Sequence, residues 1–161
     1  DEHVVGREVR LARAAHVLSI VAWIGGVAFV TLVLLPSLRS EQAAARMEMF
    51  ERLERRFARQ AKLSVIVAGV SGFYMTHALM AWDRFLDIKF WWMHAMVAVW
   101  LIFAFVLFVA EPLFLHDWFH RYARQDPDGS FRTLQRMHYV LLTASIVTVA
   151  AAVLGAHGAI P

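Results

Sequence analysis

AAHVLSIVAWIGGVAFVTLVLL, residues 14–35, contains no Asp, Glu, Lys or Arg. A helix that crosses the hydrocarbon core of a bilayer needs roughly 20 mostly apolar residues, because each adds about 1.5 Å across about 30 Å. This stretch has that length, and so do residues 61–81, 90–110 and 137–156. The expected fold is therefore all-α: an integral membrane, up-down four-helix bundle forming one domain over residues 1–161, with almost no mass outside the bilayer. Helix-breaking chemistry follows each run: Pro36, then Trp82-Asp83-Arg84, then Glu111-Pro112, then Gly155 to Pro161. No cleavable signal pattern is visible, so the first run is expected to stay as a membrane anchor.

The composition agrees. Of 161 residues 60% are hydrophobic and 18% charged, outside the usual range for a soluble domain of this size. Cysteine is absent, which excludes disulfides, thiolate metal sites and Cys nucleophiles; any ligand must be His, Met, carboxylate or backbone. The net charge of +3 does not indicate nucleic acid, because the basic residues lie between apolar runs, where membrane topology accounts for them.

Residues 41–60 read as an amphipathic helix lying on the membrane surface, with Phe50, Leu53 and Phe57 on one face and Glu48/Arg52 and Glu51/Arg55 at pairing distance. Arg39, Arg46, Arg52, Arg55, Arg56, Arg59 and Lys62 cluster in and after the first connection, and Arg121, Arg124, Arg132 and Arg136 in the third. The other side has Arg7, Arg10, Arg13, Arg84 and Lys89. The positive-inside rule then places both termini and the second connection outside the cytoplasm, the topology expected for a bacterial inner membrane.

Ionisable groups in membrane spans are costly and mark function by default. On the expected topology His16, His77, His94 and His157, one per helix, fall near the outer ends of their spans and define a common level. Neutral imidazole is the commonest protein metal ligand, and His residues from facing helices are a standard haem-iron site. A diagonal pair leaves more room for a porphyrin than a neighbouring pair, so His16 with His94 is the first pairing and His77 with His157 the second; one haem is expected rather than two. Trp23 lies seven residues after His16 on the same face, where its ring would wall a porphyrin or simply fill the core. Met75, Met80, Met93 and Met96 fall near the same level, either as thioether ligands for Cu(I) or as ordinary packing residues. Gly25, Gly26, Gly69 and Gly72 allow close helix approach or room for a flat cofactor. His138, His116 and His120 read as interfacial or solvated, and His3 as tail.

His16 followed by Trp23-Ile24-Gly25-Gly26, then Arg55-Arg56-Phe57, Gly72 and Asp87-Ile88-Lys89, resembles the membrane domain of the copper-resistance protein D family over most of the chain. The first-span His with a following Trp and small residues is also similar to the HemJ-type protoporphyrinogen oxidases. The first resemblance implies copper movement and the second a bound haem b.

Three functions remain open. The first is a haem b protein passing electrons, between quinol in the bilayer and an outer-side acceptor or as a subunit of a redox complex, with Arg13 or Lys89 pairing with propionates. The second is a copper-handling membrane protein using the same His level with Met75, Met93 or Met96. The third is a structural or assembly subunit, a homo-oligomer or part of a membrane complex, in which the His level is incidental. No serine triad, phosphate loop or paired catalytic carboxylate appears, and Glu111 beside Pro112 reads as a helix-end residue, so hydrolysis and phosphoryl transfer are not expected.

Overall fold

The computed structural model describes residues 2–159, with the side chains of residues 2, 3, 43, 44 and 116 outside the description. The readings of His3 as tail and of His116 as solvated therefore lie outside the described side chains. Every regular element among the described residues is helical: α1 (Glu2–Phe29), α2 (Leu35–Ser37), α3 (Ala43–Ala78), α4 (Trp91–Phe105), α5 (His116–Gln125) and α6 (Pro127–Ala156). Three stretches, Val4–Ser40, Ile88–Leu115 and Pro127–Ala156, are long and apolar enough to cross a membrane.

The helices do not end where proline was expected to end them. A π segment, Val30–Leu34, joins α1 to α2, which carries Pro36, and a second, Val106–Leu115, carries Pro112 and joins α4 to α5. Proline lacks the N–H of the helical ladder and crowds the carbonyl one turn earlier. Widening the ladder to i→i+5 bonds absorbs that defect without stopping the helix. The Thr31 hydroxyl donates to the Val27 carbonyl at 2.7 Å inside the first such region. The fourth run likewise starts ten residues before position 137: Asp126 caps α6 by accepting from the Gly129 N–H at 2.8 Å, and Pro127 occupies the first turn.

The separate surface helix is also corrected. Residues 43–78 form one unbroken α-helix, so the amphipathic half cannot lie flat while the other half crosses. Its apolar face meets protein instead. Phe50 is buried with Val30, Leu35, Leu38 and Phe131, and Phe57 lies over Gly26. This second core sits at the charged end of the molecule, where Arg46 reaches Asp128 at 2.6 Å and Arg39 donates to Gln135 at 2.6 Å. The molecule therefore has a folded polar end with its own core, where almost none was expected.

Side-chain contacts fix the register of α1 on α3. Tyr74 donates to Glu8 at 2.8 Å, His16 meets Ala68 and Ser71, Gln60 donates to the Ala22 carbonyl at 3.3 Å, and Phe57 covers Gly26. The two helices are antiparallel, and residues 61–78 run beside the first part of α1, not beside residues 23–35. α1 packs chiefly on α3 and α4 on α6, with α1–α6 and α3–α4 contacts closing a ring around Trp23, Val27, Val65, Ala68, Phe103 and Leu142.

The outer surface is apolar, unlike that of a water-soluble bundle, and hydroxyl residues join the apolar ones inside. Leu18, Val21, Leu32, Leu101, Phe105, Val140 and Val147 face outward. Ser19, Thr31, Ser64, Ser71, Ser145 and Thr148 are buried. Small and hydroxyl residues between helices, with branched apolar residues outside, is the pattern that lipid selects.

Aromatic rings from neighbouring helices fill the glycine faces. A Cβ at Gly69 would stand 2.6 Å from the Trp100 ring, whose Nε1–H donates to the Val65 carbonyl at 2.8 Å. Gly69→Ala must displace that ring and strain its hydrogen bond, so it is expected to destabilise by about 1–3 kcal/mol, read as a lower thermal midpoint in detergent. An unchanged midpoint would mean that Trp100 is not seated on Gly69.

Candidate functional site

His16 is the best-held of the four histidines. It is half-buried on α1, and its Nδ1–H donates to the Ala68 carbonyl of α3 at 2.9 Å with Ser71 Oγ at 3.2 Å. Ser71 Oγ in turn donates to Val67, and buried Ser19 donates to the His16 carbonyl at 2.7 Å. Gly72 makes the approach possible, since a Cβ there would lie 3.2 Å from His16 Cε1. With Nδ1 committed to a carbonyl, the neutral ring carries its lone pair on Nε2, which is how a protein prepares imidazole as a metal ligand.

His16 and His77 do not share one level. Ala68 and Ser71 precede His77 by nine and six residues, so His77 stands about 9–14 Å farther along α3 than His16, at 1.5 Å per residue. The physical reason is the α1–α3 register: hydropathy positions each span separately, whereas the hydrogen bonds stagger them. His77 is exposed. His94, also exposed, donates through Nε2 to the Phe85 carbonyl at 2.9 Å and meets the Phe85 ring edge-on at 5.5 Å. His157 caps the end of α6, with Nδ1 on the Val153 carbonyl at 2.7 Å. His94 and His157 thus spend a ring nitrogen on their own chain segments, while His16 ties two helices together.

Trp23 is 2% exposed and meets Phe103 edge-on at 4.8 Å, inside the central core. Its Nε1 is the one buried side-chain polar atom without a hydrogen-bond partner among the described residues. Arg13 and Lys89 are exposed. Met75, Met93 and Met96 are half-buried and Met80 is exposed. Among the described residues no three His, Asp or Glu side chains gather around one metal position. His138, half-buried, donates to the Leu134 carbonyl at 2.9 Å and has the Phe50 ring edge-on at 6.4 Å. His120 pairs with Glu51 at 3.3 Å, so it belongs to the charged end.

The sequence reading missed the hydroxyl and carbonyl set around His16. Ser19 shares its helix one turn on, and Ser71-Gly72 is a small pair of the kind that admits a neighbouring helix; this was the available signal. It also missed the Lys62–Glu111 pair, 3.5 Å across α3 and the second π segment.

The fold and site define a class, an all-helical protein with three helices built to cross a membrane and a histidine held between two of its helices. No protein-family model matches the chain, and comparison with curated proteins and with solved structures gives no match.

Proposed function

We propose that this chain is an integral membrane haem b protein acting in electron transfer, with His16 as an axial ligand. The observation that carries the reading is the His16 Nδ1–H bond to the Ala68 carbonyl, which leaves the Nε2 lone pair available on a half-buried ring held between α1 and α3. Imidazole is a ligand type suited to haem iron, and the absent Cβ of Gly72 lets the His16 ring approach α3. His94, on the helix diagonal to α1, is the second ligand in this reading and must exchange its bond to Phe85 for iron. Arg13 and Lys89, both exposed, are suited to pair with propionates. When bound, the haem supplies one-electron chemistry between a quinol and an outer-side acceptor. The chain orients the imidazole through the carbonyl bond and surrounds it with apolar neighbours.

The same reading makes the apolar half of α3 a fourth span. Leu63, Ile66, Val70 and Phe73 form an exposed stripe at helical spacing, as on the three longer apolar helices. With the basic residues concentrated on one side, the topology is up-down with both termini outside, in a bacterial inner membrane.

The test is an oxidised and dithionite-reduced visible spectrum of detergent-purified protein. Sharp reduced bands are expected, lost in His16→Ala and His94→Ala and kept in His157→Ala. A featureless spectrum overturns the haem reading, and bound copper in a colourless protein transfers the site to copper with Met75, Met93 and Met96.

A further inference from the structure

Between α3 and the second π segment lies a cleft of about 340 Å³ that none of the haem chemistry uses. Its depth is set by the sequence. Lys62 stands where the apolar half of α3 begins and Glu111 where the apolar run of α4 ends, and these two pair at 3.5 Å across the cleft. The recess therefore opens at the hydrocarbon boundary on the basic side. Leu113 lines it and is 71% exposed, and Leu63, one residue into the apolar half of α3, is 64% exposed, so an apolar surface adjoins the charged one.

Charge pairing decides what the cleft is suited to hold. Lys62 is answered by Glu111, and Glu51 by His120 at 3.3 Å. Arg55 and Arg59, one helical turn apart, both line the recess and make no ion pair among the described residues. Asp117 lines it from the opposite element, exposed and likewise outside any ion pair among the described residues; only its backbone carbonyl is used, by Arg121 at 3.3 Å. The Arg55 and Arg59 guanidinium groups and the Asp117 carboxylate thus face one recess, which Glu54 also lines, beside an apolar surface.

We propose that this cleft binds the phosphoethanolamine head group of a membrane phospholipid. The phosphate sits on Arg55 and Arg59, whose planar N–H forks match phosphate oxygens. The primary ammonium donates to Asp117, and the acyl chains run along Leu113 and Leu63. A phosphatidylglycerol head group offers Asp117 only neutral hydroxyl donors, with no ammonium to balance the carboxylates of Asp117 and Glu54, both of which line the recess. A choline head group carries no N–H for the carboxylate. The proposal rests on the integral-membrane reading but not on haem.

The experiment is native mass spectrometry of the full chain, released from detergent with phosphatidylethanolamine, phosphatidylcholine or phosphatidylglycerol at equal concentration, alongside carbonate extraction of membranes containing the protein. Phosphatidylethanolamine is expected to be retained about tenfold better than the other two, the ratio worth one charge-assisted hydrogen bond. Asp117→Asn should abolish that preference while keeping phosphate-dependent retention, and Arg55→Gln with Arg59→Gln should lower retention of all three lipids. Wild-type protein that resists carbonate but retains the three lipids equally overturns the head-group site alone. Release by carbonate overturns it together with the membrane reading. Displacement of lipid by millimolar inorganic phosphate assigns the arginines to a soluble anion and overturns the lipid.

Discussion

Trp23→Ala is expected to destabilise the folded chain by about 3 kcal/mol, the low end of the range for removing a large aromatic from a core. The indole is 2% exposed and supports Phe103 at 4.8 Å, with Val27, Val65, Ala68 and Leu142 in the same cluster. These residues come from α1, α3, α4 and α6, so one truncation loosens all four. The low end applies because the helices sit in lipid in the proposed reading. Lipid tails are as apolar as the core, so the loss consists mainly of dispersion contacts around a cavity, without the full cost of exposing apolar surface to water. Trp23→Phe separates the contributions. It keeps an aromatic ring against Phe103 and removes an N–H that has no partner, so its cost should stay below about half that of Trp23→Ala. Unfolding in mixed micelles, followed by far-ultraviolet circular dichroism, reads both. Equal losses for the two variants would mean that the indole nitrogen is engaged after all.

Three long apolar helices were legible in hydropathy because a run of about 20 apolar residues has few alternatives in a chain this greasy. The continuations through Pro36 and Pro112 were not, since proline's local penalty is visible in sequence whereas its relief by a widened turn depends on how the flanking residues pack. The first half of α3 shows a related limit. Phe50 and Phe57 mark an apolar face, but a face does not name its partner: lipid and the protein surface at Gly26 of α1 and Leu35 of α2 fit the same pattern. At the site, His16 was legible as a polar residue in an apolar run. Its depth relative to His77 was not, because that depends on which α3 carbonyl its ring reaches, and the choice of Ala68 follows from the small residues at Ser71 and Gly72. The cleft at Arg55 and Arg59 was hidden for the same reason: its pairing partners Glu111 and His120 lie far away in sequence.

Phe131→Ala should cost more than Trp23→Ala although the ring is smaller, about 4 kcal/mol. Phe131 is 4% exposed in the second core, among Phe50, Leu35 and Leu38, at the charged end where water surrounds the helices in the proposed reading. Truncation there loses both dispersion contacts and the transfer of apolar surface out of water. The ring also carries Arg46, whose guanidinium carbon stands 4.7 Å from its centroid and whose side chain is 9% exposed. Arg46 therefore acts as part of this core's lid, through its stem and its cation–π contact, more than through the 2.6 Å bond to Asp128, whose side chain is 72% exposed. Asp128→Asn is accordingly expected to cost less than about 1 kcal/mol, as for exposed ion pairs generally, while Arg46→Ala costs about 1–3 kcal/mol through lost packing on the ring. Measured together in the same micelles, the order Phe131→Ala, Trp23→Ala, Asp128→Asn distinguishes a core closed against water from one closed against lipid. If Phe131→Ala instead proved the milder of the two aromatic truncations, the polar end would not be an independently buried core, and α3 would derive its continuity from its apolar half alone.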